Sequence, residues 1–306
     1  MPNIDDAIEQ FRNAMQDCGL IPPQRIIGDG TLQRCATEGK AHGDDGCYIL
    51  FLDGIPAGGM QNHRTGTGWM KWRANIGRRL TDAERASISA KAKAEQRQRE
   101  ADKWKRWQES ASVCKAILAA AAPAADDHPY LKRKKVPAHP GLMLGYWKQY
   151  YKADCLLLPM VEGYGDKAVI WGVQAIFPEK DPLLNRDKDF LKGARKTGLH
   201  FLIGEIIEGA TVHIAEGYST GMSVHLATGA PVIVGFDAGN LSSITLPALP
   251  LAQEIVIAAD NDESQAGLIG AKKAAEKFMK EGRTVRIAMP PETGTDFNDY
   301  YSGMSK

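Results

Sequence analysis

Hydrophobic positions change period along this chain, and the changes divide it into regions. In residues 4–18 the apolar side chains Ile4, Ala7, Ile8, Phe11, Ala14 and Met15 recur at helical spacing, and Gly19 with Pro22-Pro23 ends the pattern. Residues 25–57 hold strand-like pieces, RIIGDGTLQRCAT and CYILFLDGIPAGG, with Asp29-Gly30 as a hairpin signal and residues 43–46 as a second turn. Trp69 and Trp72 close that segment. Residues 81–122 lack Gly and Pro and are rich in Ala, Lys, Arg, Glu and Gln, and Thr81 with Glu84 makes a capping box, so one long helix or two is expected. Residues 156–160 (LLLPM) and 168–177 read as paired strands around a turn at 163–165. From residue 211 the pattern alternates: strand, helix, strand at 231–236, loop or helix, strand at 254–259, helix at 265–280, strand at 284–289, then a stop at Pro290-Pro291. That alternation predicts an α/β parallel sheet with flanking helices.

The candidate chemistry sits where two of these apolar runs end. Val212 to Ala215 is a short apolar run closed by Glu216-Gly217, and Ser219-Thr220-Gly221 opens a helix. Glu216 is therefore expected at the carboxyl end of a strand, where open α/β sheets place their ligands. A carboxylate buried there needs a basic partner or a metal ion. The run EIVIAA ends in Asp260-Asn261-Asp262, whose two carboxylates point the same way if the backbone stays extended. If the two strands are neighbours, Glu216 faces Asp260 and Asp262, and Mg²⁺ or Mn²⁺ would remove the repulsion among them. Gly267-x₂-Gly270-Ala271 permits close helix–sheet packing. Asp296, Asn298 and Asp299 arrive near the same strand ends as second-metal or outer-shell groups.

Composition changes this picture in several ways. The chain has 306 residues, 43% hydrophobic and 25% charged, which suits one large or two modest globular domains. No apolar run approaches the ~18 residues of a membrane span and no signal peptide is visible, so a cytoplasmic protein without membrane contact is expected. Cys18, Cys35, Cys47, Cys114 and Cys155 form no C-x₂-C pair, so no zinc is expected and the thiols read as reduced. Net charge is only +1, but residues 64–106 hold thirteen Lys/Arg against five Asp/Glu. That basic middle is either a solvated helix face or a track for a phosphate backbone. Trp104 and Trp107, three apart on one helix face, read as anchors to a neighbouring domain rather than base-stacking platforms. Lys132, Arg133, Lys134 and Lys135 form a basic run that binds phosphate or marks an exposed turn.

The E-G at one strand tip and D-x-D at a later one resemble the Toprim domain of primases, topoisomerases and some nucleases. EGYSTG, VGFDAGNL, AADND with Ala266-Gly267, and GTDFNDYY follow in that order over about ninety residues, and together resemble plasmid- and phage-type DNA primases. DHPYLKRKKV is similar to a segment upstream of Toprim in phage-type primases. The 156–198 order resembles the basic subdomain beside Toprim, and the resemblance implies that Lys192, Arg195 and Lys196 face the acidic site. The absence of a zinc-binding pattern departs from bacterial housekeeping primases.

The resemblance implies a domain order: a small α+β module (1–76) for template or partner binding, a charged helical linker (77–125), a basic primase-core subdomain (126–205) and a Toprim catalytic domain (206–306). It implies a DNA primase, a nucleotidyltransferase of the DNA-directed RNA polymerase type. Such an enzyme makes short primers on single-stranded DNA from NTPs with Mg²⁺ or Mn²⁺, and a replicative helicase is a further expected partner. Glu216, Asp260 and Asp262 would be the catalytic and metal-binding set, with Asp296 beside them. Alternatives are a Toprim nuclease and a non-catalytic DNA-binding replication accessory module. A topoisomerase lacks chain for its tyrosine domain, and a Rossmann cofactor site lacks G-x-G-x-x-G after a strand.

Overall fold

The computed structural model describes residues 3–65, 68–77 and 81–303, and the chain divides into two compact units, Met1–Arg99 and Glu100–Lys306. Arg78 and Arg79 of the basic middle lie outside the described residues.

In the first unit, helix α1 (Ile4–Asp17) is capped by Asn3, whose side chain accepts the Asp5 N–H. Its Ala7, Phe11 and Met15 are buried, four residues apart on one face. Strands β1 (Leu20–Ile21), β2 (Gln33–Thr37), β3 (Gly46–Phe51), β4 (Ala57–Asn62) and β5 (Met70–Arg73) form an antiparallel sheet in chain order. Phe11 meets Tyr48 and Trp72 edge-on at 5.8 and 4.9 Å, which fixes α1 on the sheet. The strand-like piece from residue 25 becomes strand only at β2. Asp29 turns on itself to accept the Thr31 N–H and hydroxyl, and the Tyr48 hydroxyl takes the Ile27 N–H, so that backbone meets β3 only at a single bridge, Asp29 to Phe51.

Helix α2 (Asp82–Ala119) is one helix of 38 residues, begun by the reciprocal Thr81–Glu84 hydrogen bonds. Its only buried residues are Ala111, Cys114 and Leu118. Within the first unit Lys91 pairs with Asp53 at 2.9 Å.

In the second unit β6 (Ala122–Pro123), α3 (Pro129–Lys134), β7 (Met143–Trp147), β8 (Lys152–Glu162), β9 (Val169–Asp181) and β10 (Arg186–Phe190) come first. The strands make an antiparallel sheet ordered β10-β9-β8-β7-β6. Then follow β11 (Phe201–Ile203), β12 (Thr211–Ala215), α4 (Tyr218–Thr228), β13 (Val232–Val234), α5 (Ala238–Leu241), β14 (Glu254–Ala258), α6 (Ala266–Lys280), β15 (Thr284–Ala288) and α7 (Phe297–Ser302). Their sheet is ordered β11-β13-β12-β14-β15, parallel except for β11.

The period-2 alternation of strands decides which side each residue packs on. Val212, Ile214, Ile255 and Ile257 join Ala271, Ala274 and Phe278 of α6 in one core. Ala215, Tyr218, Val234 and Ala258 join Leu156, Leu158, Met160 and Ile176 of the first sheet in another. The two sheets therefore share a core, and Val161 and His200 exchange backbone hydrogen bonds of 2.9 and 3.0 Å between them. Gly270 lets α6 close onto α5: a methyl there would stand 2.6 Å from the Ala238 carbonyl oxygen. All five cysteines are free thiols. No helix among the described residues is long and apolar enough to cross a membrane.

Candidate active site

β12 is followed in sequence by β13 on one side and, later, flanked by β14 on the other, so the strand order reverses around its carboxyl end. Such a reversal opens a crevice between diverging helices. Ala215 lies opposite Ala258 in the parallel register, so Glu216 and Asp260 leave adjacent strands side by side. Helix α6 comes down onto both. A methyl at Gly267 would stand 2.7 Å from the Asp260 carbonyl oxygen and 3.1 Å from Glu216 Oε1.

Glu216 Oε1 and Asp260 Oδ1 are buried, with no hydrogen-bond partner among the described residues. Burial, and then the charges of Asp260, Asp237 and Asp262, push Glu216 up to about 7. Burial and Asp296 push Asp260 up to about 6, against the pull of Lys188 and Lys134. Both line a cavity of about 290 Å³ together with Tyr130, Lys134, Lys188, Thr220, Asp237 and Asp296. Asp296 caps α7 by accepting the Asp299 N–H at 2.8 Å, and its other oxygen accepts the Thr220 hydroxyl at 3.3 Å.

Asp262 is not among the cavity's lining residues. Its oxygens accept the Ser264 hydroxyl and the N–H groups of Ala266 (3.2 Å) and Gly267 (3.0 Å), and these bonds hold it below the usual carboxylate range. The cause is local. Gln265 stands at the helix N-cap in the left-handed region without a side-chain cap, and Asp262 supplies the acceptors that α6's first N–H groups need. Asn261 meanwhile forms a single antiparallel bridge to Thr295.

The basic residues divide. Lys134 lines the cavity. Lys132 is exposed on α3, Arg133 donates to the Pro178 carbonyl (2.7 Å) and Asp187 (3.3 Å), and Lys135 reaches the Ser302 carbonyl at 3.5 Å. Lys196 pairs at 2.5 Å with Asp237, on the cavity wall. Arg195 is directed elsewhere: both its terminal nitrogens bind Glu162, at 2.9 and 2.6 Å. Lys192 is exposed, its backbone N–H held by Gln149.

Besides Lys134, Lys188 of β10 enters the acidic cavity, and sequence reading passed it over. Its ammonium stands 3.5 Å from where a Gly217 methyl would be. Tyr130, then Asp187, Asp260 and Asp296, hold its pKa above the ordinary lysine value. The available signal was alternation. Asp189 turns inward to Trp147, Gln149 and Arg186, so Lys188 takes the opposite side of the strand.

Other segments singled out in the sequence hold the walls. Buried Asn240 donates to the Leu199 and Gly235 carbonyls at 2.9 and 2.8 Å and accepts the Gly198 N–H at 2.7 Å. Buried Asn298 donates to the Lys134 carbonyl and the Ser223 hydroxyl, at 2.7 and 2.9 Å, tying α7 to α3 and α4.

Residues 211–305 match the family model described as the Toprim domain. This chain carries a Toprim domain. Glu216, Asp260 and Asp296 all fall inside it, whereas Lys134 and Lys188 reach it from the preceding sheet and helix. Two curated relatives, each described as a DNA primase TraC of Escherichia coli, are 29% identical over 286 and 288 residues. Each match covers 90% of this chain, but this chain spans only 25% and 19% of their lengths. The chain thus resembles plasmid-type Toprim primases through most of its own length, beyond the Toprim domain itself. A solved DnaG catalytic core aligns at 12% identity with a TM-score of 0.45, covering 66% of this chain and 76% of that one.

Proposed function

We propose that this chain is the catalytic part of a DNA primase, transferring nucleotidyl groups from NTPs to a 3′ hydroxyl on a single-stranded DNA template. The observation that supports this most is the pair of buried, unpartnered carboxylate oxygens at adjacent strand ends of the Toprim domain, with Lys188 in the same cavity. The similarity to the TraC primases supports the choice of reaction over hydrolysis of a strand.

Hard oxygen donors that lack a proton donor suit Mg²⁺ or Mn²⁺. Among the described residues no three acidic, His or Cys side chains stand close enough to hold an ion as they are, so the fit lies in donor chemistry and in the two orphaned oxygens. Glu216 and Asp260 would hold the ion, with Asp296 beside them. Asp262 would join only by giving up its bonds to α6. A bound divalent ion would activate the attacking hydroxyl and neutralise the leaving pyrophosphate.

The chain's own residues complete the arrangement. Lys188 and Lys134 put positive charge on the wall facing the carboxylates, where the triphosphate must be neutralised. The Thr220 hydroxyl fixes Asp296. Arg133, held by Asp187 and the Pro178 carbonyl, stiffens α3 and so the placement of Lys134. The test is incubation with single-stranded DNA, labelled NTPs and Mg²⁺ or Mn²⁺. Short template-dependent products are expected from the wild type and not from Glu216→Gln or Asp260→Asn. Cleavage of the strand instead of primer synthesis would overturn the proposal.

A further inference from the structure

The second unit carries an aromatic cluster that the acidic cavity does not use. Trp104 of α2 lies tilted against Trp171 of β9, ring centres 5.0 Å apart, and meets Trp107 edge-on at 6.2 Å. The Arg195 guanidinium lies 5.5 Å from the Trp107 ring centre and 5.7 Å from that of Trp171. Glu162 fixes this guanidinium with two hydrogen bonds, so its position under the rings is set. Lys103 adds a second cation, 4.5 Å from the Trp107 ring centre.

An indole that anchors one element to another buries its ring. Trp104 keeps 45% of its surface open, although Trp171 and Trp107 hold it in place. The cations beside the cluster are exposed Lys103, over the Trp107 ring, and the Arg195 guanidinium. A rigid, open ring rimmed by cations suits one kind of occupant. An apolar protein side chain would cover the ring but would strip water from the cations without replacing it. A nucleobase covers the ring with its own π face and brings phosphates to the cations. Bases inside a duplex are already stacked on each other, so the strand must be unpaired. Because the rings are held in advance, little side-chain freedom is lost on binding.

We propose that Trp104, braced by Trp171, Trp107 and the Arg195–Glu162 pair, is a stacking platform for an unpaired base of single-stranded nucleic acid. This rests on the reading of the chain as one that works on a single-stranded template, and it names where that strand is held.

The test is equilibrium binding of the whole chain to a fluorescent oligothymidylate of about 12 nucleotides, to the same strand with abasic sites, and to a duplex of equal length. Trp104→Ala is expected to weaken binding to the oligothymidylate by about tenfold, and Trp104→Phe much less. The dependence on salt should keep its slope, since no phosphate contact is removed. On the abasic strand wild type and Trp104→Ala should bind alike, and the duplex should not compete. Equal binding of wild type and Trp104→Ala to the oligothymidylate would overturn the platform and leave the proposed function standing. So would an equal loss on the abasic strand, the mark of a merely structural role. Failure of the wild type to bind any single strand would remove both.

Discussion

Asp260 and Lys188 line one cavity and act on each other's protons: the ammonium draws the carboxyl down against burial, and the carboxylate helps hold the ammonium charged. They come from different sheets, so neither is where it is without the core that the sheets share. Replacing the lysine by a chain of similar length without charge, Lys188→Met, should remove the positive wall and leave the fold. Primer synthesis should fall by roughly 10²-fold in kcat/KM, with a raised apparent KM for NTP. Lys192→Met, at an exposed loop position, should change it far less. Steady-state rates on the two variants decide this, and equal effects would return the role to the loop.

The acid site should make the metal-free protein sensitive to alkali. Glu216 at about 7 and Asp260 at about 6 both lie above the ordinary carboxylate range. The folded chain therefore holds protons that the unfolded chain has released, and stability falls as pH rises through that window. At pH ~8 in EDTA, Asp260→Asn should melt higher than wild type, on the order of 1 kcal/mol or roughly 2–4 °C. The gain should vanish toward pH ~3 and below, under the unfolded carboxyl values of about 4, where the wild-type carboxyls are protonated in both states. The same variant should lose at least roughly 10³-fold in primer synthesis. Melting curves at both pH values, with and without Mg²⁺, check the sign. A variant less stable at the higher pH would contradict it.

Gly267 tests the closeness of α6. A helix normally gains about 1 kcal/mol from Gly→Ala, but here the methyl would stand 2.7 Å from a backbone oxygen of Asp260. The backbone must shift, so Gly267→Ala should destabilise by about 1–3 kcal/mol and displace the carboxylates. Urea denaturation and primer synthesis should both register the change, whereas Ala at half-buried Gly294, whose methyl would meet nothing within 4 Å, should cost only the strain of its positive φ of 85°.

Asn298 is the third structural test. Fully buried, it donates to the Lys134 carbonyl and the Ser223 hydroxyl. Asn298→Ala strands both acceptors and should cost about 2–3 kcal/mol. Asn298→Asp should cost more, because a buried charge replaces a neutral amide whose N–H groups are both in use. Thermal melts of the two variants in that order of loss confirm a bracing role. An Asp variant as stable as wild type would point instead to an acidic group at work in the site.

The sequence made the sheet legible because its strands are short apolar runs closed by Glu216 and Asp260, and strand ends in such sheets are where polar groups can gather. The neighbouring of β12 and β14, on which the facing of these carboxylates depended, is what the register shows. Asp262 was less legible. Its direction is set by the start of α6, whose Ala266 and Gly267 N–H groups draw it onto the helix end, a choice that strand periodicity does not show. Lys188 was hidden because a basic strand face and a basic loop look alike in one dimension. Only the inward turn of Asp189 tells them apart. Arg195 illustrates the converse: a loop arginine that looked free for phosphate is committed to Glu162.

The backbone exchange between Val161 and His200 bears on how this cavity can treat its substrates. With both sheets stitched at that point and filled by one set of side chains, the wall bearing Lys188 is held against the strand ends that carry Glu216 and Asp260. On the proposed function, an NTP would enter a gap whose width that shared core sets. Discrimination between base pairs would then rest on how a pair fits the gap, and release of pyrophosphate on the charge balance along its walls.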